Sequence, residues 1–106
     1  MSLPIRRHAD VEQDILELAA WIARDSRETA FRFFDAVEDT VRSLRRMPRK
    51  GSLKNLRTPF QDVRTWAVRG FPNHLIVYEV RPSDVYVYAI VHGSRRYQRL
   101  VRERRK

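Results

Sequence analysis

The sequence predicts an α+β domain: a helical hairpin packed on a small, mostly antiparallel sheet, in the order β-α-α-β-β-β-α. Three observations carry this expectation. The first half of the chain holds two apolar stripes at helical spacing, and the second half holds three short runs of β-branched and aromatic residues. Pro and Gly punctuate the gaps between them. At 106 residues the chain is read as one domain over 1–106, long enough for a single core but not for two.

The elements follow in order. Residues 3–8, "LPIRRH", can form a short first strand. Asp10 then offers a helix N-cap, with Gln13 where a capping box would place it. Val11, Ile15, Leu18, Ala19 and Ile22 share one helical face. The connection "RDSRE" supplies Asp25 or Ser26 as the next cap. A second helix runs from about Arg27 to Arg46, with Ala30, Phe33, Phe34, Val37, Val41 and Leu44 as its stripe. So short a link makes the pair an antiparallel hairpin. Pro48 and Gly51 stop the helix, and "PRKGSLKNLRTPFQD" reads as a polar, basic loop without a period. Three strands follow in "VRTWAVRG", "HLIVYEV" and "VYVYAIVH", the last two joined as a hairpin by "RPSD". Gly93 ends the last run, Ser94 can cap, and "RRYQRLVRERRK" can make a basic terminal helix.

Composition narrows the function. The chain has no cysteine, which excludes disulfides, thiolate metal sites and a cysteine nucleophile. Its histidines are His8, His74 and His92, with no pair at zinc or iron spacing, so no metal and no cofactor are expected. Gly51, Gly70 and Gly93 stand alone, so no phosphate loop or dinucleotide fingerprint exists. No apolar run approaches the roughly 20 residues of a membrane span, and a cytoplasmic protein is expected.

Charge is the informative property. Residues 1–48 carry eight basic and nine acidic side chains, whereas residues 49–106 carry fourteen basic and four acidic. The second half is where an anionic partner would dock. Arg64 and Arg69 flank Trp66, with Arg64, Trp66 and Val68 on one strand face and Arg69 on the other. Arg81 ends the next strand, and Arg95, Arg96 and Arg99 follow the last. Guanidinium groups suit phosphates and carboxylates, and exposed aromatic faces can stack bases; Trp66, Tyr78, Tyr86 and Tyr88 are nevertheless expected mainly in core or cross-strand packing. His92 and Tyr97, with Arg64 and Arg69, could on paper supply the acid, base and cations of metal-independent RNA cleavage. Trp21 and Phe31 fall off the helical stripes, leaving apolar surface for an acidic, partly helical partner.

The segments "ADVEQDILELAAWIA", "AFRFFDAVEDTVRSLRRMPRKGS", "VRTWAVRGFPNHLIVYEV" and above all "VYVYAIVHGSRRY" together resemble toxins of the RelE/ParE superfamily, also called plasmid-stabilisation proteins. The resemblance covers nearly the whole chain. It implies a toxin of a type II toxin–antitoxin module, neutralised by an acidic antitoxin in a hetero-oligomer. Two activities remain open: messenger-RNA cleavage in the ribosome, as in RelE-like members, or poisoning of DNA gyrase without nuclease chemistry, as in ParE-like members. A relative lacking both, or a basic nucleic-acid-binding module, is the further alternative. The long, nearly equal helices and the strand ending in His-Gly-x-Arg look more like the ParE branch. On that reading Arg95, Arg96 and Arg99 contact the target, while Trp21, Phe31, Arg64, Arg69 and Arg81 face the antitoxin.

Overall fold

The computed structural model describes residues 2–57, 59–93 and 97–105. Strand β1 (Ile5–Arg7) leads into helices α1 (Val11–Ala23) and α2 (Arg27–Ser43). A single 3-10 turn (Pro48–Lys50) precedes β2 (Ser52–Lys54), β3 (Val63–Val68), β4 (Phe71–Val80) and β5 (Val85–His92), and α3 (Tyr97–Arg104) closes the fold. The five strands lie in the order β1-β5-β4-β3-β2, with β1 parallel to β5 and every other pair antiparallel. The fold is therefore the expected α+β hairpin-on-sheet.

Helices cover both faces of the sheet rather than one, so the single domain buries two apolar clusters where one core was expected. On one face Val11 and Ile15 of α1 and Phe33, Val37 and Val41 of α2 pack on Val68, Ile76, Tyr78, Val87 and Ile90. On the other, Tyr97 and Val101 of α3 pack on Val63, Val77, Tyr88 and Val91, with Phe60 from the preceding loop. Each such side chain taken out of water contributes about 1.5–3 kcal/mol, so these stripes dominate stability.

Four local expectations are corrected. The polar loop contains β2, a three-residue strand held at the sheet edge by pairing Leu53 with Arg64. The capping box at Asp10 does not form: the Asp10 side chain makes no cap bond, and Gln13 donates to Glu17 instead. Asp10 is already helical in backbone angle, and its N–H donates to Nδ1 of His8. Helix α2 ends at Ser43 rather than Arg46, and β4 begins at Phe71 rather than His74. The Ser26 cap does form, accepting from the Thr29 N–H at 3.1 Å, whereas the proposed Ser94 cap lies outside the described residues.

Two polar contacts pin the layers together. Because β1 pairs only with residues 85–87, the outer edge of β5 is open beyond Val87. Asp14 of α1 accepts the Ile90 N–H at 3.1 Å, and Arg104 of α3 donates to the Tyr88 carbonyl at 2.8 Å. The two side chains also form a bidentate pair at 2.6 and 2.9 Å, only 14% and 11% exposed. Tyr88 itself is the extra residue of a bulge, skipped as Val77 pairs with Ala89 and Tyr78 with Val87. The second contact is Tyr78, whose hydroxyl donates to the Pro48 carbonyl at 2.7 Å and accepts the Gly51 N–H at 3.0 Å.

Removing one partner of a buried pair leaves the other charge stranded. Asp14→Ala is therefore expected to cost about 3–5 kcal/mol in urea unfolding, with the Asp14→Ala/Arg104→Ala double variant losing less than the sum of the singles. Additive losses would show that the pair is not coupled. Gly51 is demanded by space: a Cβ there would lie 2.4 Å from the Tyr78 hydroxyl and 2.8 Å from the Thr65 carbonyl oxygen. Gly51→Ala should lower stability by about 1–3 kcal/mol, again read from the urea midpoint at constant slope.

Candidate functional site

The residues that could have cleaved RNA are not gathered in one place. Arg64 faces the hairpin side of the sheet, near the β2 edge, and its guanidinium is engaged through Nε and Nη1. It donates to Asp62 at 2.7 Å and to the carbonyls of Arg49 and Gly51 at 2.9 Å each, with its side chain 15% exposed. His92 sits at the far end of β5, opposite His74. From strand spacing and rise, its Cα lies on the order of 16 Å from that of Arg64. Tyr97 is buried under α3 on the other face, 7% exposed, and burial pushes its hydroxyl pKa up. Arg69 leaves the strand alternation: the turn at Gly70 (φ 81°) brings its N–H onto the Thr40 hydroxyl of α2, so it lies on the hairpin side with Trp66 rather than opposite.

The remaining arginines divide into tied and open groups. Arg81 grips Asp84 bidentately at 2.6 and 2.7 Å across the β4–β5 turn, and Arg6 approaches the same carboxylate at 3.2 Å. Hydrogen bonds from Arg81, with its charge, hold the buried Asp84 carboxyl below the usual range. Arg99 is solvent-facing and, among the described residues, shares only an i,i+4 pair with Glu103. Arg95 and Arg96 lie outside the described residues.

Two apolar surfaces remain. On the hairpin Trp21 and Phe31 are 67% and 70% exposed, as their off-stripe positions predict, and Arg24 lies over the Trp21 ring at 4.5 Å. Between α2 and the β3–β4 turn there is a cleft of about 430 Å³ lined by Thr40, Ser43, Lys50, Trp66, Val68 and Arg69 among others. Trp66, expected mainly as packing, is instead 37% exposed, with Lys50 Nζ 5.0 Å from its ring. Tyr78 and Tyr88 do belong to the core. Burial and a hydrogen bond to the Glu79 carboxylate push the Tyr88 hydroxyl pKa far up. Sequence reasoning missed Asp14 and Arg104, which are 90 positions apart, and Glu79 and Lys50, whose partners lie beyond any local spacing rule.

His74 packs edge-on to Phe33 at 5.0 Å and to His92 at 4.9 Å, with its Nδ1 buried and, among the described residues, without a hydrogen-bond partner. Burial, then the charge of His92, lowers its pKa below the ordinary 6.5. A lowered folded value means that the unfolded chain binds more protons as pH falls through 6.5. Stability is thus full above that pH and declines below it. His74→Phe should flatten this decline between about pH 7 and about pH 5; an unchanged pH profile of the urea midpoint would assign the decline to other groups.

Comparison with known proteins fits this architecture. A family model described as "ParE toxin of type II toxin-antitoxin system, parDE" matches residues 5–97. Among curated proteins no significant match is found. A solved structure from P. aeruginosa, described as a chromosomal ParDE TA system, shares the fold with a TM-score of 0.69 and 13% identity, covering 88% of this chain and 98% of that one. Among the described residues no helix is long and apolar enough to cross a membrane and no cluster of three metal-ligating side chains occurs. With the family match running from β1 into the first residue of α3, the chain belongs to the ParE toxin family of type II toxin–antitoxin systems.

Proposed function

We propose that this ParE-family toxin arrests growth in the cytoplasm by poisoning DNA gyrase, and that an acidic antitoxin silences it in a hetero-oligomer. The observation that carries the choice of gyrase over messenger RNA is the dispersal of Arg64, His92 and Tyr97. Metal-independent phosphodiester cleavage needs a base, an acid and cations within hydrogen-bond reach of one phosphate. Here the strand arginine is spent on backbone carbonyls, the tyrosine is buried on one face and the histidine stands on the other. A toxin without that set acts by binding.

Target contacts are then assigned to the cationic junction after β5, Arg95, Arg96 and Arg99. The antitoxin is assigned to the hairpin, where Trp21 and Phe31 offer large apolar anchors beside a strongly basic half. Arg69 is assigned to the antitoxin through the separate cleft that it lines beside α2. Arg64 and Arg81, already holding Asp62 and Asp84, are left to the fold.

The test is DNA supercoiling by purified gyrase with the toxin titrated in. Inhibition with trapped, cleaved DNA is expected. The Trp21→Ser/Phe31→Ser variant should inhibit equally while its relief by the cognate antitoxin weakens by about 30-fold, as loss of an interface anchor worth about 2 kcal/mol implies. No inhibition by folded toxin, together with ribosome-dependent cleavage of messenger RNA, would transfer the protein to the nuclease class.

A further inference from the structure

The outer face of α3 carries a charge pattern of which the gyrase reading uses only Arg99 and the antitoxin reading nothing. Arg99, Arg102 and Arg105 recur at three-residue spacing, which places them along one side of the helix. The Arg105 N–H donates to the Val101 carbonyl at 3.0 Å, carrying the helical turn past Arg104. All three are exposed, whereas Arg104, between them in sequence, turns inward to Asp14. Among the described residues no carboxylate pairs with Arg102 or Arg105.

These two guanidinium groups are held in place. Their central carbons lie 5.6 and 5.5 Å from the centre of the Phe60 ring, so they stand no more than about 11 Å apart. With Pro59 they frame a shallow cleft of about 290 Å³. Exposed Arg57 lies on the same loop, its carbonyl accepting the Phe60 N–H at 3.3 Å. Successive phosphates of one DNA strand rise about 3.4 Å along the helix axis, within the reach of such a pair. Planar guanidinium forks match phosphate oxygens bidentately.

We propose that the outer face of α3 with the Phe60 loop is a contact for the phosphate backbone of duplex DNA, made by Arg102 and Arg105 with Arg99 and Arg57 beside them. The aromatic rings of the patch decide the class of partner. Phe60 and Tyr97 are 6% and 7% exposed and Val101 is buried, so the patch offers no ring for an unstacked base and no apolar anchor for a peptide. What it chiefly offers is charge, the requirement for sequence-independent binding to a duplex. Its physiological setting, DNA already held by gyrase, rests on the proposed function; the contact itself does not.

The experiment measures binding of the toxin to a short duplex over a series of salt concentrations, without gyrase. The variant Arg102→Gln/Arg105→Gln keeps aliphatic stems over Phe60, and its fold is checked by circular dichroism and urea midpoint. Arg45→Gln/Arg46→Gln, in the turn just past α2, removes the same charge elsewhere. The α3 variant should lower the slope of log affinity against log salt by about 2, roughly 1 per phosphate contact, and the control should lower it by less. Equal slopes in the two variants would reduce the effect to net charge and overturn the site. So would an α3 variant that keeps duplex binding but loses binding to poly-glutamate, which would mark the surface as a peptide site. If the Gln variant unfolds, Arg102→Lys/Arg105→Lys keeps the charge and should retain the slope while weakening binding through loss of the forks. Gyrase inhibition measured in parallel separates failure of this contact from failure of the gyrase reading.

Discussion

The ion pair between Asp14 and Arg104 is the contact on which both layers of the molecule depend. Strand β1 is too short to cover β5 beyond Val87, and a bare edge with unpaired N–H and C=O groups is both costly and an invitation to foreign strands. One carboxylate from α1 and one guanidinium from α3 close that edge, satisfying the Ile90 N–H and the Tyr88 carbonyl while pairing with each other. Burying two charges is expensive, and the gain lies less in net stability than in geometry. The pair fixes the height of α1 on one face and of α3 on the other. The orientation of the outward-facing arginines on α3 follows from the inward turn of Arg104.

That division runs through the whole basic half of the chain. Arg64, Arg81 and Arg104 carry the fold: each meets a carboxylate, and two of them also cap main-chain carbonyls. Arg7 does the same in the first half, joining β1 to Glu12 of α1 and Glu38 of α2. Arg99, Arg102 and Arg105 project into solvent instead. An excess of positive charge is thus two populations, one consumed by the architecture and one left over. Electrostatic attraction of a partner can come only from the second.

The legible parts of the sequence were those governed by period. The stripes of α1 and α2 and the run Val85–His92 follow from spacing alone, and so do the exposed positions of Trp21 and Phe31. What escaped was held by distant partners. Residues 52–54 have no strand period over so short a stretch; β2 exists because Arg64 collects the carbonyls of Arg49 and Gly51 and because Tyr78 anchors the turn before it. Asp14, between apolar Val11 and Ile15, reads as one more solvated helix charge until Arg104, 90 positions later, arrives beside it. The scatter of the candidate residues was hidden for the same reason. Two of the three acceptors of Arg64 are backbone carbonyls, which leave no mark in a sequence.

The filled sheet also bears on the kind of activity the fold can host. A catalytic cleft needs a concave surface with polar groups converging on it. Here α1 and α2 pack Val, Ile and Phe on one face, leaving the open cleft beside Lys50 and Trp66 at its edge, and α3 packs on the other, where Tyr88 donates to Glu79. The distinctive chemistry is displaced to the outside of the helices. Trp21 and Phe31 present apolar area on one layer, and the arginines of α3 present charge on the opposite one. On the proposed reading, surfaces on opposite layers can be occupied by different partners at once. An antitoxin anchored on the hairpin would then have to silence the toxin by reaching around the sheet or by excluding the larger target on size. Direct competition for one pocket is not the natural solution for a molecule built this way.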